Sequence, residues 1–528
     1  MKQPFKTAQP VLFPPLADRA AWESLPGAAR WAAAGQAALA DAQTAPELPL
    51  SLWLQFTRSG DRAKWEHAYF ARRRTLCALA MAEAVTNRGT YLPALADLAW
   101  RICEESAWQL PAHNSYIRDT PQLPLPDVTR PIVDLFAAET GALIATVCGL
   151  LGEALDAYAP GLAARLRGEV ERRVLTPYRT AHFWWMGNGD EPMCNWTPWC
   201  TQNVLLAAVQ CAPAEDLPAY VQQAAYSIDC FLKDYGDDGC CSEGAQYYRH
   251  AALTMFNALD LLCKMAPGVF DDVWAEPKIR NMAEYIVNMH IAGPYYLNFA
   301  DCSPLAGARG VREYLFGKRV GSLPLMTLAA RDWAAVLAAD PDPDRLHHPD
   351  DSEGINLFYH IQAAMAEREV TDFAEAAAPA APEAAQPSGL ASPLTTASAK
   401  ASQPAKPHAP QFAPPSTART ALTRASTSTA NFLSAMLSTM PKTAPSTPMM
   451  PRAATIIIQF ILASNPAKAH ERNAHQARNH DADGESPKRR WNIRRFQSLP
   501  HPRHQHNGQQ EAQGAENAVE HRVEQIIS

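Results

Sequence analysis

Two short stretches of this 528-residue sequence gather the side chains best suited to chemistry. The first runs His182-Phe183-Trp184-Trp185-Met186-Gly187-Asn188-Gly189-Asp190 and continues to Asn195-Trp196-Thr197-Pro198-Trp199. Aromatic faces stack on sugar rings, and amides give directional hydrogen bonds to hydroxyls and carboxylates. Trp184, Trp185, Trp196 and Trp199 are therefore candidate sugar platforms, although the same residues can equally plug a core between helices. The second stretch, Asp238-Gly239-Cys240-Cys241-Ser242-Glu243-Gly244-Ala245-Gln246-Tyr247-Tyr248-Arg249-His250, is a polar turn entering a helix. Ser242 or Glu243 is a candidate cap, which sets Tyr247 and Tyr248 in the first turns. A phenol titrates near pH ~10, so a tyrosine base needs a cationic or strongly donating neighbour, with Arg249 and His250 as candidates. Two half-buried tyrosines with satisfied hydroxyls are the other reading.

The elements that must position these residues read as helices. From about residue 27 to 368, apolar side chains recur at three- and four-residue spacings. Helices are expected at Arg72 to Val85, Ala94 to Ala107, Ile132 to Ala157, Leu217 to Phe231, Gln246 to Met265 and Lys278 to Ile291, separated by turn clusters such as 111–114, 187–190 and 236–239. Alternating strand patterns are scarce, which predicts an all-α array of antiparallel helix pairs. No strict period supports a solenoid, and a closed or partly closed toroid of hairpins stays open.

Composition excludes several classes. With 47% hydrophobic and 19% charged residues the chain is neither collagen-like nor wholly disordered. The net charge of −7 is uneven: residues 376–528 hold 16 Lys+Arg against 9 Asp+Glu, the remainder 31 against 45. All 11 cysteines fall between Cys77 and Cys302 without regular spacing, which predicts reduced thiols and a cytoplasmic protein. Pro10, Pro14 and Pro15 break any apolar run near the start, so no secretion leader is expected. The late stretch Ala453 to Ala463 is about half of the roughly 20 residues that span a bilayer, and no membrane partner is expected. From Ala376 to Pro451 the chain is dominated by Ala, Pro, Ser and Thr, which predicts disorder. The basic run Lys488 to Arg495 can touch phosphates, but a solvated tail is the reading adopted, with no nucleic-acid partner. His501, His504 and His506 lack the support a metal site needs, and none is assigned.

Taken together, the motifs resemble the heparinase II/III-like polysaccharide lyases. The resemblance runs from about residue 50 to 370 in four stretches: Cys103-Glu104-Glu105-Ser106-Ala107-Trp108-Gln109-Leu110-Pro111-Ala112-His113-Asn114, Asn195-Trp196 onward, Asp238 to Tyr248, and Asn298-Phe299-Ala300-Asp301. It implies an incomplete (α/α) toroid followed by a β-sandwich. It also implies that Asn195 binds the carboxylate of a uronate, that Tyr247 transfers protons at the scissile bond, and that Tyr248 is the less favoured neighbour. The reaction would be β-elimination on an acidic polysaccharide or oligosaccharide, with no metal and no cofactor required. His113, Asn114 and Gln202 become candidate contacts to sugar or carboxylate. Glu243 anchors the Tyr247 segment, and Asp301, Arg309 and Arg312 are candidates for a charged rim.

The sequence departs from that pattern twice. Trp196 stands where some branches of the family place a histidine beside the asparagine, and no strand patterns follow residue 370. The expected layout is an N-terminal extension over 1–26, a toroid over 27–372 and a disordered tail over 373–528. The abrupt change near residue 372 suggests a shifted reading frame or a fusion, which translation of the other two frames tests. Two alternatives to a lyase are weighed: a glycoside hydrolase using Asp238 with Glu191 or Glu243, and a carbohydrate-binding remnant that has lost turnover.

Overall fold

A computed structural model describes residues 6–339 and 352–377. The described residues are almost entirely helical. The helices are α1 (Arg19–Glu23), α2 (Ala28–Gln43), α3 (Leu50–Ser59), α4 (Ala63–Thr86), α5 (Leu92–Cys103), α6 (Leu135–Tyr158), α7 (Leu162–Val170) and α8 (Thr176–Thr180). They continue with α9 (Trp196–Cys211), α10 (Leu217–Asp234), α11 (Tyr248–Met265), α12 (Pro277–Met289), α13 (Val311–Val320), α14 (Leu323–Ala339) and α15 (Leu357–Ala377). One antiparallel hairpin, β1 (His290–Ala292) with β2 (Tyr295–Tyr296), follows α12. The expected disordered tail, the basic run at 488–495, the three late histidines and the 453–463 stretch lie outside the described residues.

Helical periodicity located the helices better than their ends. The α6 start shows why. Asp134 is its N-cap, and the side chain accepts the Ala137 N–H at 2.7 Å. That satisfies a donor the helix leaves open, and Asp134 lies inside the span read as helix from Ile132. At the other end of α4, Asn87 adopts φ 46° and its N–H closes on the Glu83 carbonyl. Glu83, itself buried, then accepts the N–H groups of Gly89 and Tyr91 at 2.7 and 3.0 Å, fixing the turn into α5.

An inner ring forms from α4, α6, α9, α11, α13 and α15, each packed on the next, with α15 also touching α4 and α6. These hairpins make the incomplete (α/α) toroid. Buried polar contacts lock the ring. Asn356, at the start of α15, donates to Glu139 of α6 and to Asn203 of α9, both at 3.0 Å. Outside it, α2 lies so close on α4 that a Cβ on Gly35 would sit 2.1 Å from that of Ala82. Arg30 of α2 pairs with Glu367 of α15 at 2.5 Å, joining the second helix to the last.

Residues 6–26 belong to the same core: Phe13, Trp22 and Leu25 are buried in it, and Arg19 donates to the terminal carbonyls of α4 at Ala84 and Val85. Among the described residues one helix, α6, is long and apolar enough to cross a membrane, and 94% of its apolar window is buried within the protein. It is a core helix of the ring. All eleven cysteines are free thiols.

Candidate functional site

The starts of α6, α9 and α11 meet at one end of the ring, joined by a chain of rings. His113, on a single 3₁₀ turn before α6, lies 4.7 Å from Trp196 in the first turn of α9. Trp196 packs at 5.1 Å on Trp184. One turn along α9, Trp199 stacks on His250 of α11 at 4.4 Å with only 7° between the planes. His250 in turn meets Tyr247 edge-on at 5.8 Å. Beside this chain opens a cavity of about 260 Å³ whose walls include His113, Tyr116, Arg118, Trp184, Cys194 and Trp196. The Arg118 guanidinium sits 4.6 Å above the Trp184 ring, a contact that presents a cation and a flat apolar face together.

Asn195 occupies the N-cap of α9, where an asparagine ordinarily bonds the helix's open N–H groups. Here it does not: its backbone is already helical, and the carboxamide makes no capping bond. The side chain is left for another partner. Tyr247 holds the corresponding place before α11 and is half-buried. Burial pushes its phenol up, the charges of Glu243 and Asp301 push it further, and Arg62 pulls it back. The neighbour that lowers it is thus Arg62 and not Arg249, whose Nη2 donates to the Ala306 carbonyl at 3.1 Å. A phenol raised in this way is protonated at neutral pH and suits donation better than abstraction. Burial and the charge of Asp301 likewise raise the Glu243 carboxyl.

The loop carrying Tyr247 is pinned from behind. Gly244 takes φ +93°, and a Cβ there would meet the Phe299 carbonyl at 2.7 Å, a place only glycine fits. Gln246 accepts the Ser303 N–H at 3.1 Å. The Glu-Gly turn and the 298–301 motif therefore support one another. Neither Ser242 nor Glu243 caps α11, because these residues form a turn and the helix begins only at Tyr248.

Several residues expected to touch substrate are core residues instead. Tyr248 is fully buried and donates to the Ala283 carbonyl at 3.1 Å, and burial raises its phenol strongly. Asn114 is also buried, donating to Leu123 and accepting from Gln109, so it staples its loop. Gln202 faces inward on α9 and bonds the Tyr359 hydroxyl. Trp185 and Trp199 spend their N–H groups on Val133 at 2.8 Å and Glu139 at 3.2 Å. Only Trp184 and Trp196 of the four tryptophans are partly exposed. Arg309 and Arg312 are buried around Ala306, Gly307 and the Tyr359 ring, so they form no rim, while Asp301 stays exposed.

Asp134, Phe136, Arg118 and Arg62 enter the site without having been read from the sequence. A signal existed for Asp134: an aspartate three residues before the alanine of a long apolar helix is a cap pattern. No protein-family model matches the chain, and no curated protein matches it.

Proposed function

We propose that this chain is a lyase that cleaves uronate-containing acidic polysaccharides or oligosaccharides by β-elimination. One observation carries the reading: Asn195, with its amide uncommitted, and Tyr247, with a raised phenol, stand at the starts of α9 and α11, which the Trp199–His250 stack joins, and an aromatic-walled cavity opens against Cys194 and Trp196 on either side of Asn195. Trp184 and Trp196 offer faces for a pyranose, and Arg118 offers a charge to its anionic groups. The Asn195 amide, near a helix start whose dipole favours anions, neutralises the carboxylate. That stabilises the enolate-like charge which builds as the C5 hydrogen leaves. Tyr247 gives its proton to the departing O4. None of these steps asks for a metal.

A second reading has a specific observation in its favour. Glu243, with its carboxyl raised by burial and by Asp301, has the character of a glycosidase acid. Its suggested partners are less suited, since Glu191 and Asp238 are exposed and Asp238 is occupied by the Cys240 N–H at 3.0 Å.

The products separate the two. Incubation with heparan-, hyaluronan-, alginate- and pectin-type polymers is expected to yield, from at least one, a conjugated unsaturated sugar that absorbs in the ultraviolet. Cleavage that yields reducing ends without that chromophore rejects the lyase and favours the hydrolase.

A further inference from the structure

We propose that His113, oriented by Asp134, is the catalytic base that takes the C5 hydrogen, a step that rests on the lyase reading above. Its Nδ1 lies 2.7 Å from Asp134 Oδ2. Asp134 is itself immobilised: Oδ1 accepts the Ala137 N–H at 2.7 Å and Oδ2 also accepts the Leu110 N–H at 3.2 Å. A carboxylate fixed this way holds the proton on Nδ1 and leaves the Nε2 lone pair outward. No hydrogen bond occupies Nε2 among the described residues.

Two aromatic faces set the ring plane. Phe136 stacks on the imidazole at 5.9 Å and 10°, and Trp196 leans on it at 4.7 Å. The ring borders the cavity that Trp184 and Trp196 wall. Other titratable or charged groups facing the same space are Tyr116, Arg118 and Asp119 from its own loop and Cys194 from the segment before α9. Burial raises both the Tyr116 phenol and the Cys194 thiol, so neither competes as a base at neutral pH. Tyr247 is raised as well and Tyr248 is sealed in the core. Trp196 fills the position beside Asn195. The imidazole with an open nitrogen on the cavity is His113.

The C5–H bond breaks, its proton goes to His113 Nε2 and its electrons become the C4=C5 double bond. The C4–O4 bond breaks, and O4 leaves with the proton of Tyr247. The imidazolium beside Asp134 and the tyrosinate then return to their resting forms by proton exchange with water. One pyranose accordingly lies between the α6 and α11 ends, against Trp196.

The test uses the full chain, and His113→Ala is compared with wild type for ultraviolet-absorbing product and for equilibrium binding of a uronate oligosaccharide. Turnover is expected to fall about 10²- to 10⁴-fold while the dissociation constant moves less than about threefold, with added imidazole restoring part of the rate. Should His113→Ala fail to fold, His113→Gln, which can still donate to Asp134, gives the same readout. Turnover within about threefold of wild type in either variant overturns the assignment while leaving the lyase reading intact. Wild-type protein that makes no chromophore from any uronate polymer overturns the lyase reading, and this proposal with it.

Discussion

Two polar clusters meet Phe136, one through Tyr69 and one through His113, and they differ in how completely their groups are used. In the first, Glu105 is gripped by Arg72 at 3.2 Å and by Arg73 at 2.7 Å, and Arg73 also donates to Thr140 at 2.8 Å. Tyr69 lies under the Arg73 guanidinium, and its hydroxyl reaches the Phe136 carbonyl at 3.1 Å. In the second, His113 and Asp134 form an equally short contact, but the His113 side chain borders a cavity. The closed cluster has nothing left to offer a ligand and serves only to hold α4, the 104–110 segment and α6 together. The open one keeps part of the imidazole in reach of solvent. What distinguishes these two clusters is the saturation of their hydrogen-bonding capacity, not the presence of charge.

This contrast can be broken by experiment. Glu105→Ala leaves the buried Arg73 guanidinium facing no anion, while Arg72 keeps Glu47 at 3.6 Å, and is expected to cost about 3–5 kcal/mol in denaturant unfolding. His113→Ala, by comparison, is expected to cost about 1 kcal/mol, since Asp134 keeps its two backbone donors. Equal losses in the two variants contradict the distinction.

A smaller effect, in the pH dependence, sharpens it. Burial pushes the Glu169 carboxyl up, but hydrogen bonds from Arg172, Arg173 and Arg165 outweigh it and hold the group at about 2, below its ordinary 4.5. A carboxyl lowered by folding adds stability above its unfolded value, and that stability is lost as pH falls toward the folded one. Wild type is therefore expected to lose its stability advantage over Glu169→Gln between pH 4.5 and about 2. An advantage that stays constant across that range contradicts the role given to the three arginines.

Legibility in the sequence followed the same division. The six helices read from periodicity all exist, and Leu217, the expected start of α10, is its first residue. Periodicity reports burial of one face, and burial is what builds this fold. It does not report which way a polar side chain on a buried helix turns. Gln202, one residue from Asn203 on α9, looked able to reach a ligand and instead bonds Tyr359 on a helix 157 residues away. Tyr247 and Tyr248 are adjacent in sequence, yet one is half-buried before the helix and the other wholly inside it. The late start of α11 decides that, through a turn whose positive-φ Gly244 no local pattern ranks against a cap at Ser242. The Arg62 effect on Tyr247 is not legible in the sequence for a simpler reason: the two are far apart in the chain and meet only in the fold.

That pair of neighbouring tyrosines offers the most direct test of the site. Tyr247→Phe and Tyr248→Phe should be assayed side by side for release of unsaturated product from the same uronate polymer. The expected result is a loss of about 10²- to 10⁴-fold for Tyr247→Phe. Tyr248→Phe is expected to stay within about threefold of wild type and to lose about 1 kcal/mol of stability with the bond to Ala283. Full turnover in Tyr247→Phe, or arrest in Tyr248→Phe alone, contradicts a site built at the starts of α9 and α11.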